Sequence, residues 1–145
     1  MITLEDARRV IAAAERKAED IGQPMNIAIA DEGANLKALV RMDGAWLGSV
    51  DIAINKAFTA RAFDISTKEL AENSQSGGPF FGIHVSNHGR VMIFAGGIPL
   101  KQNGKVVGAI GVSGGDSKQD QSVAEAGAAS FAESATLAER LRKTA

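Results

Sequence analysis

The sequence has 145 residues, of which 45% are hydrophobic and 23% are charged, as in one globular domain rather than a disordered chain. A net charge of -1 and basic residues spread along the chain argue against nucleic-acid binding. The absence of cysteine excludes disulfides, thiolate nucleophiles and cysteine metal ligands. With no long apolar run for a signal peptide or a membrane span, we predict a single cytoplasmic domain over residues 1–145 with no membrane partner.

The first part of the chain predicts a helix followed by a β-hairpin. Apolar residues recur at spacings of three and four between Thr3, a suitable N-cap, and Gly22, a suitable terminator. The segments MNIAIAD and LKALVRM then predict two strands joined by a turn at EGAN.

The segment GSVDIAINKAFTARAF predicts a helix of small residues with one polar stripe. Asp51, Asn55 and Thr59 follow one another at a spacing of four, and so share one face of that helix. The stripe is either a solvated face or the lining of a cavity or interface. A short helix through KELAENSQ follows, with Ser66 or Thr67 as its N-cap.

The second half of the chain predicts three strands and a terminal helix. The strands are RVMIFAG, GIPLKQ and KVVGAIGVSG, and Asn103 with Gly104 forms the turn between the last two. From Asp116 onward, helical spacing predicts one long helix or a kinked pair. Because the order contains no repeated strand-helix-strand unit, we predict an α+β fold with a five-stranded antiparallel sheet and helices on its faces.

Both histidines lie in residues 77–90, GGPFFGIHVSNHGR, which we call the histidine loop. The separation of His84 and His88 places both on one face of either a strand or a helix. Imidazoles bind metals, hold haem iron, or act as acid and base near neutral pH. Two are too few for a closed zinc site, and no acidic residue lies between Glu72 and Asp116 to complete one. The alternative is a pair of histidines bonded only to backbone or solvent.

The segment GAIGVSGGDSKQD is a second candidate site. Gly114 and Gly115 lie between a predicted strand and a predicted helix, where backbone N–H groups and the helix dipole favour an anion. The alternative is a flexible connection with Asp116 as N-cap. Gly108 and Gly111, inside the strand, indicate close approach by another chain segment or a ligand.

The segments RMDGAWLGSVDIAINKAFTA, GGIPL and GKVVGAIGVSGGDSKQD together resemble the GlcG/HbpS-like haem-binding family, related to the C-terminal domain of PduO-type proteins. The resemblance covers nearly the whole chain. It implies a profilin-like three-layer α/β/α sandwich and assembly as a homo-oligomer, a dimer or larger. Some members bind haem, degrade it, or bind corrinoids. The family residues matched are Asp43, Gly44, Ala45, Lys56, Ala57, Thr59, Ala60, Gly96, Gly97, Pro99, Gly108, Gly111, Ser113, Gly114, Gly115 and Asp120.

Three functions fit these observations. The first is a ligand-binding protein in which haem, or less favourably a corrinoid, lies against two phenylalanines with His88 as axial ligand. The second is a cofactor-independent enzyme acting on a small carboxylated metabolite, with His88 or His84 as catalytic acid or base. The third is an oligomeric sensor or interaction protein. The predicted ligand-binding residues are Lys56, Thr59, Phe80, Phe81, Arg90, Gly97, Gly114 and Gly115.

Overall fold

The structure is a computed structural model that describes residues 1–145. Its elements, in chain order, are α1 (Leu4–Ile21), β1 (Asn26–Ala30), β2 (Leu36–Arg41), α2 (Gly48–Phe63), α3 (Thr67–Asn73), β3 (Gly97–Gln102), β4 (Lys105–Ser113) and α4 (Ser117–Thr144). The strands form one antiparallel sheet in the order β2-β1-β4-β3. None of the helices combines the length and apolar composition needed to cross a lipid bilayer.

The sheet has four strands, so the prediction of five was wrong. The segment RVMIFAG forms no strand, and side chains rather than a neighbouring strand accept hydrogen bonds from two of its backbone N–H groups. The Met92 N–H donates to the hydroxyl of Thr59, and the Gly96 N–H donates to the side-chain carbonyl of Gln121. The continuous apolar run of this segment reflects the burial of residues such as Val91 and Ala95 rather than pairing in the sheet.

The helices lie in two layers, one on each side of the sheet. Ile27 and Ile29 of β1 point into the main core beneath α1 and α4. Ala28 and Ala30, which alternate with them, contact Ala53 of α2 on the opposite face. Large residues therefore fill one side of the sheet, whereas small residues let α2 approach the other side closely.

Close approach by α2 and by β1 explains the two glycines inside β4. A Cβ added at Gly111 would lie 2.1 Å from the carbonyl oxygen of Ala53, and one at Gly108 would lie 2.5 Å from that of Ala30. Both distances are far below van der Waals contact. The prediction of close approach by another chain segment is confirmed, and the approaching segments are α2 and β1.

The predicted helix ends and turn are confirmed. Thr3 caps α1 through a reciprocal capping box with Asp6, and Gly22 ends the helix in the left-handed conformation. Asn103 and Gly104 have φ values of 52° and 76°, as a tight hairpin turn between β3 and β4 requires. The terminal helix α4 is a single helix rather than a kinked pair.

Candidate functional site

A buried ion pair joins α2 to α4. Lys56 is 1% exposed, and its Nζ donates to the Asp120 carboxylate at 2.9 Å and to the Val112 carbonyl at 2.8 Å. The Asp120 carboxylate also accepts from the Gly115 N–H at 2.9 Å. The Lys56 ammonium lies 5.2 Å from the centre of the Phe94 ring, within range of a cation–π interaction. Each charged group is therefore held by partners within the chain.

Burial works against both charges of this pair. It lowers the pKa of Lys56 and raises the pKa of Asp120, while the attraction between the two groups opposes both shifts. Removing either partner would leave the other as an uncompensated charge in the interior.

Two glycines at the start of β3 make room for Lys56. Gly96 has a φ of 120°, and a Cβ there would lie 2.4 Å from the Val112 carbonyl and 2.9 Å from Lys56 Nζ. A Cβ at Gly97 would lie 2.7 Å from the Lys56 carbonyl, and the Gly97 N–H donates to the Thr67 hydroxyl at 2.8 Å. We call Lys56, Asp120, Gly96, Gly97 and Val112 the lysine centre. Gly97, predicted to contact ligand, lies buried in this packing.

The predicted anion site at Gly114 and Gly115 is occupied by the chain itself. The Gly115 N–H faces the Asp120 carboxylate, and a Cβ at the buried Gly114 would lie 2.7 Å from the carbonyl of Pro24. Asp116 caps α4 in a capping box, which confirms the N-cap interpretation. The carboxylates of Asp116 and Asp120 thus accept hydrogen bonds from backbone N–H groups at the start of α4, where an anion would otherwise bind.

The polar stripe of α2 turns inward and binds a neighbouring segment. Thr59 is fully buried, and its hydroxyl donates to the Asn55 carbonyl at 2.7 Å and accepts from the Met92 N–H at 3.0 Å. The same oxygen lies 3.3 Å from the Arg90 carbonyl. The stripe was predicted to be either a solvated face or the lining of a cavity or interface. Asn55 and Thr59 are buried, as the second interpretation requires, whereas Asp51 is exposed to solvent. Thr59 therefore holds the end of the histidine loop.

The histidine loop is neither a strand nor a regular helix. It contains two single 3-10 turns, Ile83–Val85 and Asn87–Gly89, and His88 has a left-handed φ of 57°. The expectation that regular geometry aligns the two imidazoles is therefore wrong. Both are exposed, and the side-chain hydrogen bonds of the loop are made by its serine and asparagine instead.

The loop presents apolar side chains beside the imidazoles. Phe80, Phe81 and Val85 are exposed, the last two by 64% and 74%. The rings of Phe81 and His84 meet edge to face with centres 6.2 Å apart. No group of three or more histidine, cysteine or acidic side chains is placed to hold a metal ion. The loop thus combines imidazole donors with an uncovered apolar surface.

Arg90 lies at the end of this loop, and its guanidinium lies 3.8 Å from the centre of the Phe58 ring. The side chain is exposed and forms none of the ion pairs of the chain. Arg90 is therefore positioned by stacking while its N–H donors stay free for an anion.

A groove of about 480 Å³ lies between α3, α4 and the segment before β3. Its lining residues are Lys68, Ala71, Glu72, Gln75, Ile93, Phe94, Ala95, Ser117, Lys118, Gln121, Ser122 and Glu125. Neither histidine lines it, so the structure separates the histidine loop from this cavity. The groove could not be predicted from the sequence, because its lining comes from three distant segments that share no motif.

Taken together, the fold and these sites define a small α+β sandwich domain whose glycine-rich segments enclose a buried lysine. The chain belongs to the HbpS-like family, because the family model described as haem degrading protein HbpS-like matches residues 2–129. The resemblance drawn from the sequence is thereby confirmed.

Similar proteins include curated relatives and solved structures. An uncharacterized 15.0 kDa protein from the dhaT-dhaS intergenic region of Citrobacter freundii is 41% identical over 132 residues, which cover 91% of this chain and 93% of that protein. The corrinoid adenosyltransferase PduO of Citrobacter freundii is 33% identical over 86% of this chain, but the match spans only 37% of PduO. The crystal structure of a PduOC–haem complex is 31% identical, with a TM-score of 0.85 and coverage of 89% of this chain and 94% of that one.

Proposed function

We propose that the protein binds haem through the histidine loop, with His88 as the favoured axial ligand and His84 as the second candidate. The observation that carries this proposal is the exposed apolar surface of Phe80, Phe81 and Val85 beside two exposed imidazoles. Exposed aromatic surface of this kind is typical of a binding site. The haem complex of the similar PduOC domain supports the choice of ligand.

The residues of the loop fit the chemistry of haem. Haem supplies a redox-active iron that accepts an imidazole nitrogen, and its flat apolar faces suit contact with phenylalanine rings. The left-handed backbone at His88 and Gly89 places His88 at a tight turn. Arg90, with its free N–H donors, suits a propionate carboxylate. A corrinoid is less favoured, because the match to PduO spans only 37% of that protein.

The alternative of a cofactor-independent enzyme has weaker support. In that alternative a histidine acts as acid or base, and Lys56, Arg90 or the Gly114 segment holds the substrate carboxylate. Lys56 is bound to Asp120, and Gly114 is buried against Pro24, so only Arg90 remains beside the histidines for that role.

We also propose that the protein assembles as a homo-oligomer, because Trp46 and Leu47, which lie outside the histidine loop and are 63% and 74% exposed, would otherwise stay largely in water. Light scattering at micromolar concentration should give a mass of at least twice 15.1 kDa. A mass of one chain would contradict assembly. A sensor or interaction protein, the third alternative, would share this assembly but would bind no haem at the loop.

Titration with haem, followed by the Soret band, tests the proposal. The His88→Ala variant should shift the band and weaken binding about tenfold, the loss expected for one strong contact. The His84→Ala, His88→Ala double variant should lose the specific band altogether. Lys101→Ala, which changes an exposed residue outside the histidine loop, is the control and should bind as the wild type does. An unchanged Soret band and affinity in the double variant would contradict the proposal.

A further inference from the structure

The groove between α3 and α4 has an aromatic floor that rests on a cation. Phe94 lines the groove and is 43% exposed, whereas Lys56 is 1% exposed and lies 5.2 Å from the ring centre. The ring therefore separates the ammonium from the groove. A cation on one face draws the π electrons of the ring toward itself, which leaves the other face more favourable for stacking a second, electron-rich ring.

The position of Phe94 is fixed on both sides along the chain. Met92 is held by Thr59, and Gly96 is held by Gln121, whose amide nitrogen in turn donates to Glu125. Phe94 is thus held in place before a ligand binds, so binding does not carry the entropy cost of ordering this segment.

Two lysines of the groove lack partners within the chain. Lys68 lies in the first turn of α3 and Lys118 in the first turn of α4. Both are exposed, and neither takes part in any of the ion pairs. The glutamates of the lining, Glu72 and Glu125, lie about one and two turns further along the same helices. A carboxylate is therefore best placed at the end of the groove where the two lysines lie, away from the two glutamates.

We propose that this groove binds a small aromatic carboxylate, with its ring stacked on Phe94 and its carboxylate between Lys68 and Lys118. The volume of about 480 Å³ lies in the range of roughly 300–1,000 Å³ usual for small-molecule sites. The site is separate from the proposed haem surface, since neither histidine lines the groove. The protein would therefore carry two ligand sites of different chemistry.

Calorimetric titration of the full chain with 2-naphthoate tests this site, with neutral 2-naphthamide as the matched ligand. The amide should bind about tenfold more weakly, because it lacks the charge that the lysines recognise. The Lys68→Gln, Lys118→Gln double variant should weaken 2-naphthoate about tenfold and remove the preference over the amide. Lys101→Gln, Lys105→Gln, which removes two exposed lysines outside the groove, should change neither.

The floor is tested by Phe94→Leu and Phe94→Ala. Phe94→Leu keeps an apolar cover over Lys56 but removes the ring, and should weaken 2-naphthoate severalfold while the circular dichroism melt stays close to that of the wild type. Phe94→Ala should weaken it further. The His84→Ala, His88→Ala variant should bind 2-naphthoate normally, which separates this site from the haem proposal. Equal affinity for acid and amide, or equal losses in both lysine double variants, would overturn the assignment.

Discussion

The lysine centre and the histidine loop contrast in how their polar groups are satisfied. In the lysine centre, an ammonium, a carboxylate and several backbone groups bond to one another across segments distant in sequence. In the histidine loop, both imidazoles and two phenylalanines face outward. In this protein, a match to the family motif therefore indicates a packing role, whereas an exposed histidine indicates a candidate ligand contact. The matched residues Lys56, Gly96, Gly97 and Asp120 build the frame, whereas the histidines, which lie outside the matched set, are exposed and available to a ligand.

Lys56→Met should give the largest loss of stability. The change leaves Asp120 buried without its cation, at a cost of about 3–5 kcal/mol. Urea unfolding measures it, and Lys101→Met, at an exposed lysine, is the control that should change little. Lys56→Met, Asp120→Leu should lose less than the single variant, because no charge is then left without a partner. If the double variant proves less stable than the single one, the charge argument is wrong.

Gly97→Ala should cost about 2–3 kcal/mol, as overpacking does. The added Cβ would lie 2.6 Å from Thr67 Cγ2 and 2.7 Å from the Lys56 carbonyl, so backbone must move. Gly48→Ala is the matched control, since nothing lies within 4 Å of a Cβ there. Thermal unfolding should show a loss for Gly97→Ala alone. Equal melting temperatures for the two variants would show that Gly97 is not a packing residue.

Thr67→Val should cost about 1–3 kcal/mol, because it leaves the buried Gly97 N–H without an acceptor while keeping the side-chain shape. The control is Thr136→Val, which removes an exposed hydroxyl on α4 and should stay within about 0.5 kcal/mol. Urea unfolding of both variants gives the comparison. A neutral Thr67→Val would mean that this N–H finds another partner.

The smallest effect on stability is expected in the histidine loop. His84→Ala, His88→Ala should change the free energy of unfolding by less than about 0.5 kcal/mol, since both side chains are exposed. Together with altered haem binding, this result would sharpen the contrast with the lysine centre. A loss of several kcal/mol would instead show that the loop contributes to the frame.

Local signals predicted much of the fold. The cap at Thr3, the terminator Gly22 and the turn at Asn103 and Gly104 each rest on the conformational preference of one or two residues. The segment RVMIFAG has the apolar pattern of a strand, but its pattern does not reveal that Thr59 and Gln121 bond its backbone. Strand patterns predict burial more securely than pairing.

The candidate site was predicted only in part. Lys56 was predicted to bind ligand, and no local pattern pairs it with its buried partner, Asp120, which is 64 residues away in the sequence. The histidines were identified as candidates by residue type alone. The prediction that they share one face of a strand or helix was wrong, because the backbone at His88 is left-handed. Phe94 was missed, since its importance comes from contact with Lys56 and the groove.

The pairing of Lys56 with Asp120 also bears on the cooperativity of unfolding. If the first turns of α4 separated from α2 alone, a lysine would remain in the interior without its counterion. Partial opening at this end is therefore strongly disfavoured, and amides of residues 120–124 should exchange with solvent only through global unfolding. The last turns of α4, where no residue after Phe131 is buried, lack this constraint and should exchange by local fraying. One continuous helix thus begins in a segment that opens only with the whole domain and ends in one that opens alone.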